Sequence, residues 1–321
     1  MSQHPLVLEL IDLLALEQLE ADLFRGQSRD IGTKYVFGGQ VLGQALAACQ
    51  RTVTSDRYVH SLHAYFLRAG DIEAPIIYMV DRSSAGKSFS TRRVTAIQHG
   101  QQIFGLAASF QEREIGMSHQ LSKPDVPPPE DLAEAEPIDP KLMEKVSAKQ
   151  QRWLSSKGPF EFRHVYPRDE LKRPKRPPFQ HVWFKLIDKI GDDEVSPEGD
   201  TAKPVSPKGD TAKPVSPEGD TAKQGLHQSL LAYASDFHLL GTATFPHGIS
   251  YLQPNVQMAS LDHAMWFHRP FRIDDWLLYS CDSPSAEGAR GLSRGSIYTR
   301  EGVLVASTAQ EGLIRVLPEE G

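Results

Sequence analysis

Two stretches of this chain share five residues at one constant shift of 201 positions. Residues 60–98 read HSLHAYFLRAGDIEAPIIYMVDRSSAGKSFSTRRVTAIQ, and residues 259–299 read ASLDHAMWFHRPFRIDDWLLYSCDSPSAEGARGLSRGSIYT. Phe66 falls on Phe267, Arg68 on Arg269, Tyr78 on Tyr279, Asp81 on Asp282 and Arg93 on Arg294. Each stretch continues through a turn, His99-Gly100 or Glu301-Gly302, into an apolar strand, IFGLAASF or VLVASTAQ. A unit written twice is expected to fold twice.

Each copy is dense in strand signals. YVHSLHAYFL, PIIYMVD and SFSTRRVTAIQ combine β-branched and aromatic residues with turns between them. One helical stretch precedes each set, GGQVLGQALAACQRTV in the first and GLHQSLLAYASDFHLL in the second. The first is rich in Gly and Ala, so its backbone can lie close to its neighbour. A helix followed by a long antiparallel sheet that wraps it, made twice, is an α+β architecture.

The copies are expected over residues 1–116 and 160–321, joined by a proline-dense linker over residues 117–159. Within the linker a helix is predicted at Pro140–Ser155 from the spacing of Leu142, Val146 and Trp153. Residues 195–224 interrupt the second copy with one decapeptide written three times, VSPEGDTAKP, VSPKGDTAKP and VSPEGDTAKQ. Each unit offers only Val and Ala to a core, too little to offset its ordering entropy, so it reads as a disordered insertion.

The net charge of −6, with no basic block, gives no footprint for nucleic acid. Acidic residues break every apolar run well short of the ~18 residues a membrane span needs. No Lys or Arg precedes Arg25, so the charged start of a signal peptide is absent. Two cysteines, Cys49 and Cys281, form neither a disulfide framework nor a zinc motif, and a reducing, cytoplasmic setting is the expectation.

Two motifs imitate known chemistry. Gly291-Leu292-Ser293-Arg294-Gly295 fits G-x-S-x-G, but a strand follows Ser293 where a nucleophile elbow needs a helix. No Asp and no His follow it to complete a triad, so Ser293 is read as structural. Ala85-Gly86-Lys87-Ser88 resembles the end of a P-loop, but Asp81 stands where the first glycine belongs. His60 and His63 are assigned to opposite faces of one strand, and no metal site is expected.

Three polar residues stand in apolar surroundings. Asp236, in LLAYASDFHLL, shares a helical face with Ala232, Tyr233, Leu239 and Leu240, where a carboxylate must find hydrogen-bond donors. The alternative is a helix boundary capped at Ser235-Asp236. Ser260 stands in VQMASLDHAMWF, and Gln310 in LVASTAQEGLIRV. Period-2 counting puts Ser260 on one face with Met258, Asp262 and Ala264.

In order along the chain, VFGGQVLGQAL, SLHAYFLRAGD, AYASDFHLLGTA, SLDHAMWFHRPFR and GVLVASTAQEGLIRV resemble the acyl-CoA thioesterase II family. The resemblance implies a double hotdog fold and hydrolysis of acyl-CoA to fatty acid and CoA, with no cofactor and no metal. It also implies that Asp236, Ser260 and Gln310 hold the attacking water, with Asp236 as general base. Further expectations follow from the substrate. Gly38-Gly39-Gln40, at a helix start, offers N–H donors to an oxyanion, so Gly39 and Gln40 are binding candidates. Arg68, Arg92, Arg93, Arg290 and Arg294 are candidate contacts to the CoA phosphates. Tyr65, Phe66, Met265, Trp266 and Phe267 are candidate linings of an acyl tunnel. A homo-oligomer is implied by the resemblance. A hotdog hydratase pairing Asp236 with His238 is the first alternative, but residues two apart on a helix diverge by about 200°. A non-catalytic acyl-CoA sensor is the second, and it requires the polar trio to be broken.

Overall fold

A computed structural model of the chain describes residues 3–134, 140–155, 157–166, 173–191 and 217–318. Helix α1 (Pro5–Leu14) leads into a hairpin, β1 (Glu17–Glu20) and β2 (Leu23–Gly26), then α2 (Gly38–Gln50). Four long strands follow: β3 (Arg57–Phe66), β4 (Ile76–Ala85), β5 (Phe89–Gln98) and β6 (Gln101–Glu112). The connecting region holds α3 (Pro140–Met143) and α4 (Ala148–Ser155), and the second copy opens with the paired strands β7 (Phe160–His164) and β8 (Phe179–Leu186). The second set is α5 (Pro217–Ser235), a 3₁₀ segment (Leu240–His247), β9 (Val256–Ser260), β10 (Asp262–Phe267), β11 (Leu277–Glu287), β12 (Arg290–Thr299) and β13 (Leu304–Val316).

The strands form one antiparallel sheet in the order β1-β2-β4-β5-β6-β3-β10-β13-β12-β11-β8-β7, with β9 also on β13. The copies join where β3 pairs with β10. Both α2 and α5 lie against this sheet, and the apolar core between them includes Leu42, Leu46 and Leu62 from the first copy and Leu230, Met265 and Ile297 from the second. This is a double hotdog, two tandem copies of a long antiparallel sheet wrapped around a central helix.

The duplication holds at the level of register. Asp81 is opposite Arg93 in the first copy, and Asp282 is opposite Arg294 in the second. The register slips immediately after each aspartate, between Asp81 and Ser84 and between Asp282 and Ser285. A further slip lies between Val59 and Ser61, and its counterpart is the break at Leu261 between β9 and β10. An extra residue reverses which side chains face inward beyond it. For that reason His60 and His63 are not on opposite faces: Val59 and Leu62 are the buried pair, and both histidines lie outside them.

The two helices run antiparallel and touch through backbone. A Cβ on Gly39 would lie 2.2 Å from the Tyr233 carbonyl oxygen, and one on Gly43 would lie 3.0 Å from that of Ser229. Gly39→Ala is therefore expected to lower stability by about 1–3 kcal/mol, read by urea unfolding. An unchanged midpoint contradicts the close crossing.

Two expectations need correction. The linker helix is interrupted: α3 ends at Met143, and α4 begins again behind Ser147, whose hydroxyl accepts from the Gln150 backbone while Gln150 Oε1 accepts from the Ser147 N–H. That reciprocal cap starts a new helix. The decapeptide insertion is not wholly loop either. Residues 217–224 belong to α5, with Pro217 at its first position, where a missing N–H carries no penalty. Residues 195–216 lie outside the described residues.

Candidate active site

Asp236 is the first residue past α5, so its backbone is released from the helix while its neighbours stay packed. The helix end is held from the sheet, since Tyr279 Oη donates to the Ser235 carbonyl at 3.0 Å. Leu239 and Leu240 therefore do not share a helical face with Asp236, and the helix-boundary reading holds in place. The Asp236 carboxylate points at the start of α2: a Cβ on Gly38 would lie 2.7 Å from Oδ2 and 3.0 Å from the Phe66 ring. No side chain caps α2 there, and the positive end of its dipole favours negative charge.

Ser260 and Gln310 converge on the same carboxylate. Gln310 Nε2 donates to Asp236 Oδ1 at 2.7 Å and reaches Ser260 Oγ at 3.0 Å. Ser260 Oγ donates more distantly to Asp236 Oδ1, at 3.5 Å. Gln310 is fully buried, whereas Asp236 and Ser260 are half-buried, so the cluster reaches from the core toward solvent.

The break at Leu261 also brings in a residue that sequence reasoning passed over. Ser260 pairs with Gly312 and Ala264 with Ala309, a register change of one between β9 and β10. The change puts His263, not Asp262 or Ala264, on the face that Ser260 shares with Gln310. His263 Nδ1 lies 3.2 Å from Gln310 Nε2, and its Nε2 lies 2.9 Å from Ser235 Oγ. Ser235 spends its own proton on the Ala232 carbonyl, so His263 Nε2 is the donor and Nδ1 the acceptor. This tautomer fixes Gln310 with its amide nitrogen toward Asp236. A strand histidine reads as core from sequence alone; only the one-residue slip reveals its direction.

Burial pushes His263 down to about 4, opposed by the Asp236 charge, and burial likewise holds His227 at about 4. The unfolded chain binds a proton at each near 6.5, and the native state does not until about 4. Stability is therefore expected to fall as pH drops through that window, by on the order of 2 kcal/mol per histidine at about pH 5. Urea unfolding at about pH 7 and about pH 5 reads it, and His263→Gln should remove part of the slope. A flat profile contradicts the neutral buried ring.

The remaining candidates separate. Gln40 is spent on structure, its side chain bonded to the Arg29 N–H and the Gln27 carbonyl, so it is no substrate contact. Its N–H donates to the Phe37 carbonyl at 3.0 Å. Gly39 lies in the first turn of α2. Arg68, Arg93, Arg290 and Arg294 are exposed. Arg290 pairs with Glu311 at 3.0 Å and Arg294 with Asp282 at 2.9 Å. Arg92 is turned inward onto backbone carbonyls. Of the tunnel candidates, Met265 and Phe267 are buried and Phe66 touches the site, but Tyr65 and Trp266 face solvent. The rings nearest the helix crossing are instead Phe37, Tyr233 and Phe237, with Phe37 stacked on Phe237 at 4.5 Å.

Ser293 is fully buried in β12, opposite Gln310, with no strand-to-helix turn. Ser293→Ala is expected to leave turnover within about twofold, because no elbow geometry exists there; loss of activity would reopen it. His238 follows α5 in a left-handed turn, with φ of 67°. Among the described residues no cluster of His, Cys, Asp or Glu could hold a metal ion.

A fused pair of hotdogs whose helix crossing gathers a carboxylate, a hydroxyl and a carboxamide has the equipment of a hydrolase that activates water. Comparisons with known proteins narrow the class. The acyl-CoA thioesterase family profile matches residues 214–313, and the acyl-CoA thioesterase N-terminal domain profile matches residues 26–111. The chain is 41% identical over 315 residues to human acyl-coenzyme A thioesterase 8, covering 96% of this chain and 89% of that one. It is 39% identical over 306 residues to acyl-CoA thioesterase 2 of Haemophilus influenzae, covering 95% and 96%. A solved acyl-CoA thioesterase II from Mycobacterium marinum superposes with a TM-score of 0.70 at 37% identity, covering 97% of this chain and all of that one. The chain belongs to the acyl-CoA thioesterase family.

Proposed function

We propose that this protein hydrolyses acyl-CoA thioesters to a free fatty acid and CoA, with Asp236 as general base on a water oriented by Ser260 and Gln310. The observation that carries the reading is Gln310 Nε2 within 3.0 Å of both Asp236 and Ser260, three residues from distant elements meeting at one point. Asp236 takes a proton from the water as its oxygen adds to the thioester carbon. The tetrahedral oxyanion then collapses, the C–S bond breaks, and the proton on Asp236 passes to the departing thiolate. Gln310 Nε2 holds the Asp236 carboxylate and the Ser260 hydroxyl in place around the water. The Gly39 N–H, at the positive end of α2, is the assigned donor to the oxyanion. Phe37, Tyr233 and Phe237 supply an apolar wall for the acyl chain.

The hydratase alternative pairs Asp236 with His238, but the His238 ring packs edge-on against Phe162 and His164, with centroids at 4.8 and 4.9 Å. His263, the imidazole bonded into the Asp236 cluster, has both ring nitrogens engaged by Gln310 and Ser235. Thiol release from a panel of acyl-CoAs tests the activity; hydration of an enoyl-CoA with no thiol released would overturn it. We also assign the protein to the cytoplasm as a homo-oligomer. Support for the first is two buried free cysteines. Support for the second is the family resemblance, in which hotdog sheets pair edge to edge. Light scattering decides the oligomer.

A further inference from the structure

At the far end of α2 from Asp236, a cavity of about 480 Å³ opens in the first copy. The 13 residues of α2 put it roughly 20 Å along the helix from the site described above. Its walls carry Arg51, Arg57, Arg82 and Arg92, and no acidic residue lines it.

Two of these arginines are buried as few charges are. Arg92 is 4% exposed and has no carboxylate partner; its donors go to the Thr52 and Ser84 carbonyls and the Thr52 hydroxyl. Burial and then the charge of Arg82, with a smaller push from Arg57, lower its pKa. The Arg57 side chain is 9% exposed. Its Nη2 is shared among Glu112 and the Gly86 and Lys87 carbonyls, but Nη1 is buried with no hydrogen-bond partner. A buried guanidinium donor left unpaired is costly unless something else accepts from it. Arg82, half-exposed, pairs with Asp22, and Arg51 reaches the Gln18 side chain.

The duplication supplies a built-in comparison. A shift of 201 carries Arg57, Arg82 and Arg92 onto Met258, Ser283 and Ser293, so no arginine survives. In the second copy protein fills the place: the 3₁₀ segment Leu240–His247 packs over β12, and a Cβ on Gly291 would lie 2.6 Å from that of Ala243. In the first copy the helix-to-strand connection, residues 51–56, is too short to cover it. One copy closes the surface with its own chain; the other leaves it open and lines it with positive charge.

We propose that this cavity is a second binding site, for an anion bearing linked phosphoryl groups. Arg51, Arg57 and Arg82 supply the donors, and Arg92 supplies charge from behind while it neutralises the carbonyl end of α2. Guanidinium forks suit phosphoryl oxygens, and the volume exceeds what a single phosphate fills. A diphosphate is the chemistry shared by nucleotides and by CoA itself.

The test is calorimetric titration of the full chain with inorganic pyrophosphate. Saturable binding that weakens as salt is raised is expected. Arg51→Gln combined with Arg82→Ala should weaken it at least about tenfold, while thiol release at saturating acyl-CoA and the circular dichroism spectrum stay unchanged. Arg82→Lys should keep part of the affinity. Pyrophosphate displaced by ADP or by CoA identifies the source of the diphosphate; displacement by neither overturns the proposal. No binding, or equal binding by the double variant, also overturns it.

Discussion

Asp236→Asn is expected to lower kcat for thiol release by at least about a hundredfold with the fold retained. The amide keeps the size of the carboxylate, and its oxygen still accepts from Gln310, so the 2.7 Å contact has a counterpart and packing against Gly38 is preserved. What disappears is the capacity to take a proton from water. KM should change little, because the carboxylate acts on the nucleophile and not on the CoA moiety. Circular dichroism and urea unfolding establish that the variant is folded; undiminished turnover in a folded variant removes Asp236 from the mechanism.

Gln310→Leu is the second large effect, a loss in kcat of about tenfold to a hundredfold. Gln310 touches Asp236, Ser260 and His263 at once, so its removal unpins the carboxylate, the hydroxyl and the imidazole together. Leucine fills similar volume in a fully buried position, which keeps the change chemical and not a cavity. Because both residues act on one water, the Asp236→Asn, Gln310→Leu double variant should be little worse than Asp236→Asn alone. Multiplying losses would mean that the two act separately. Ser260→Ala should cost less, since its bond to Asp236 is long at 3.5 Å.

The duplication was the most legible part of the sequence. Pairs such as Asp81 with Arg93 and Asp282 with Arg294 recur because the strand register recurs, and register is written in the alternation of side chains. The polar residues in apolar strands were legible for a related reason, since a buried carboxamide is conspicuous among Val, Ala and Leu. What could not be read was set by backbone detail. The break at Leu261 turns His263 inward and Asp262 aside, and no residue type announces a slipped register. The α5 start was hidden because Pro, Gly and Asp in residues 217–220 signal loop, yet a long packed helix downstream carries them. Tyr65 and Trp266 looked like tunnel walls because aromatic strand residues are usually core; here they fall on the outer face of the sheet.

The central claim is that water attacks the thioester directly, with Asp236 only borrowing a proton. A single turnover in ¹⁸O-labelled water tests it. The account predicts label in the fatty acid, none in the Asp236 carboxyl group, and no acyl-enzyme trapped before thiol release is complete. Label in the Asp236 side chain, or an acyl group isolated on the protein, would contradict it.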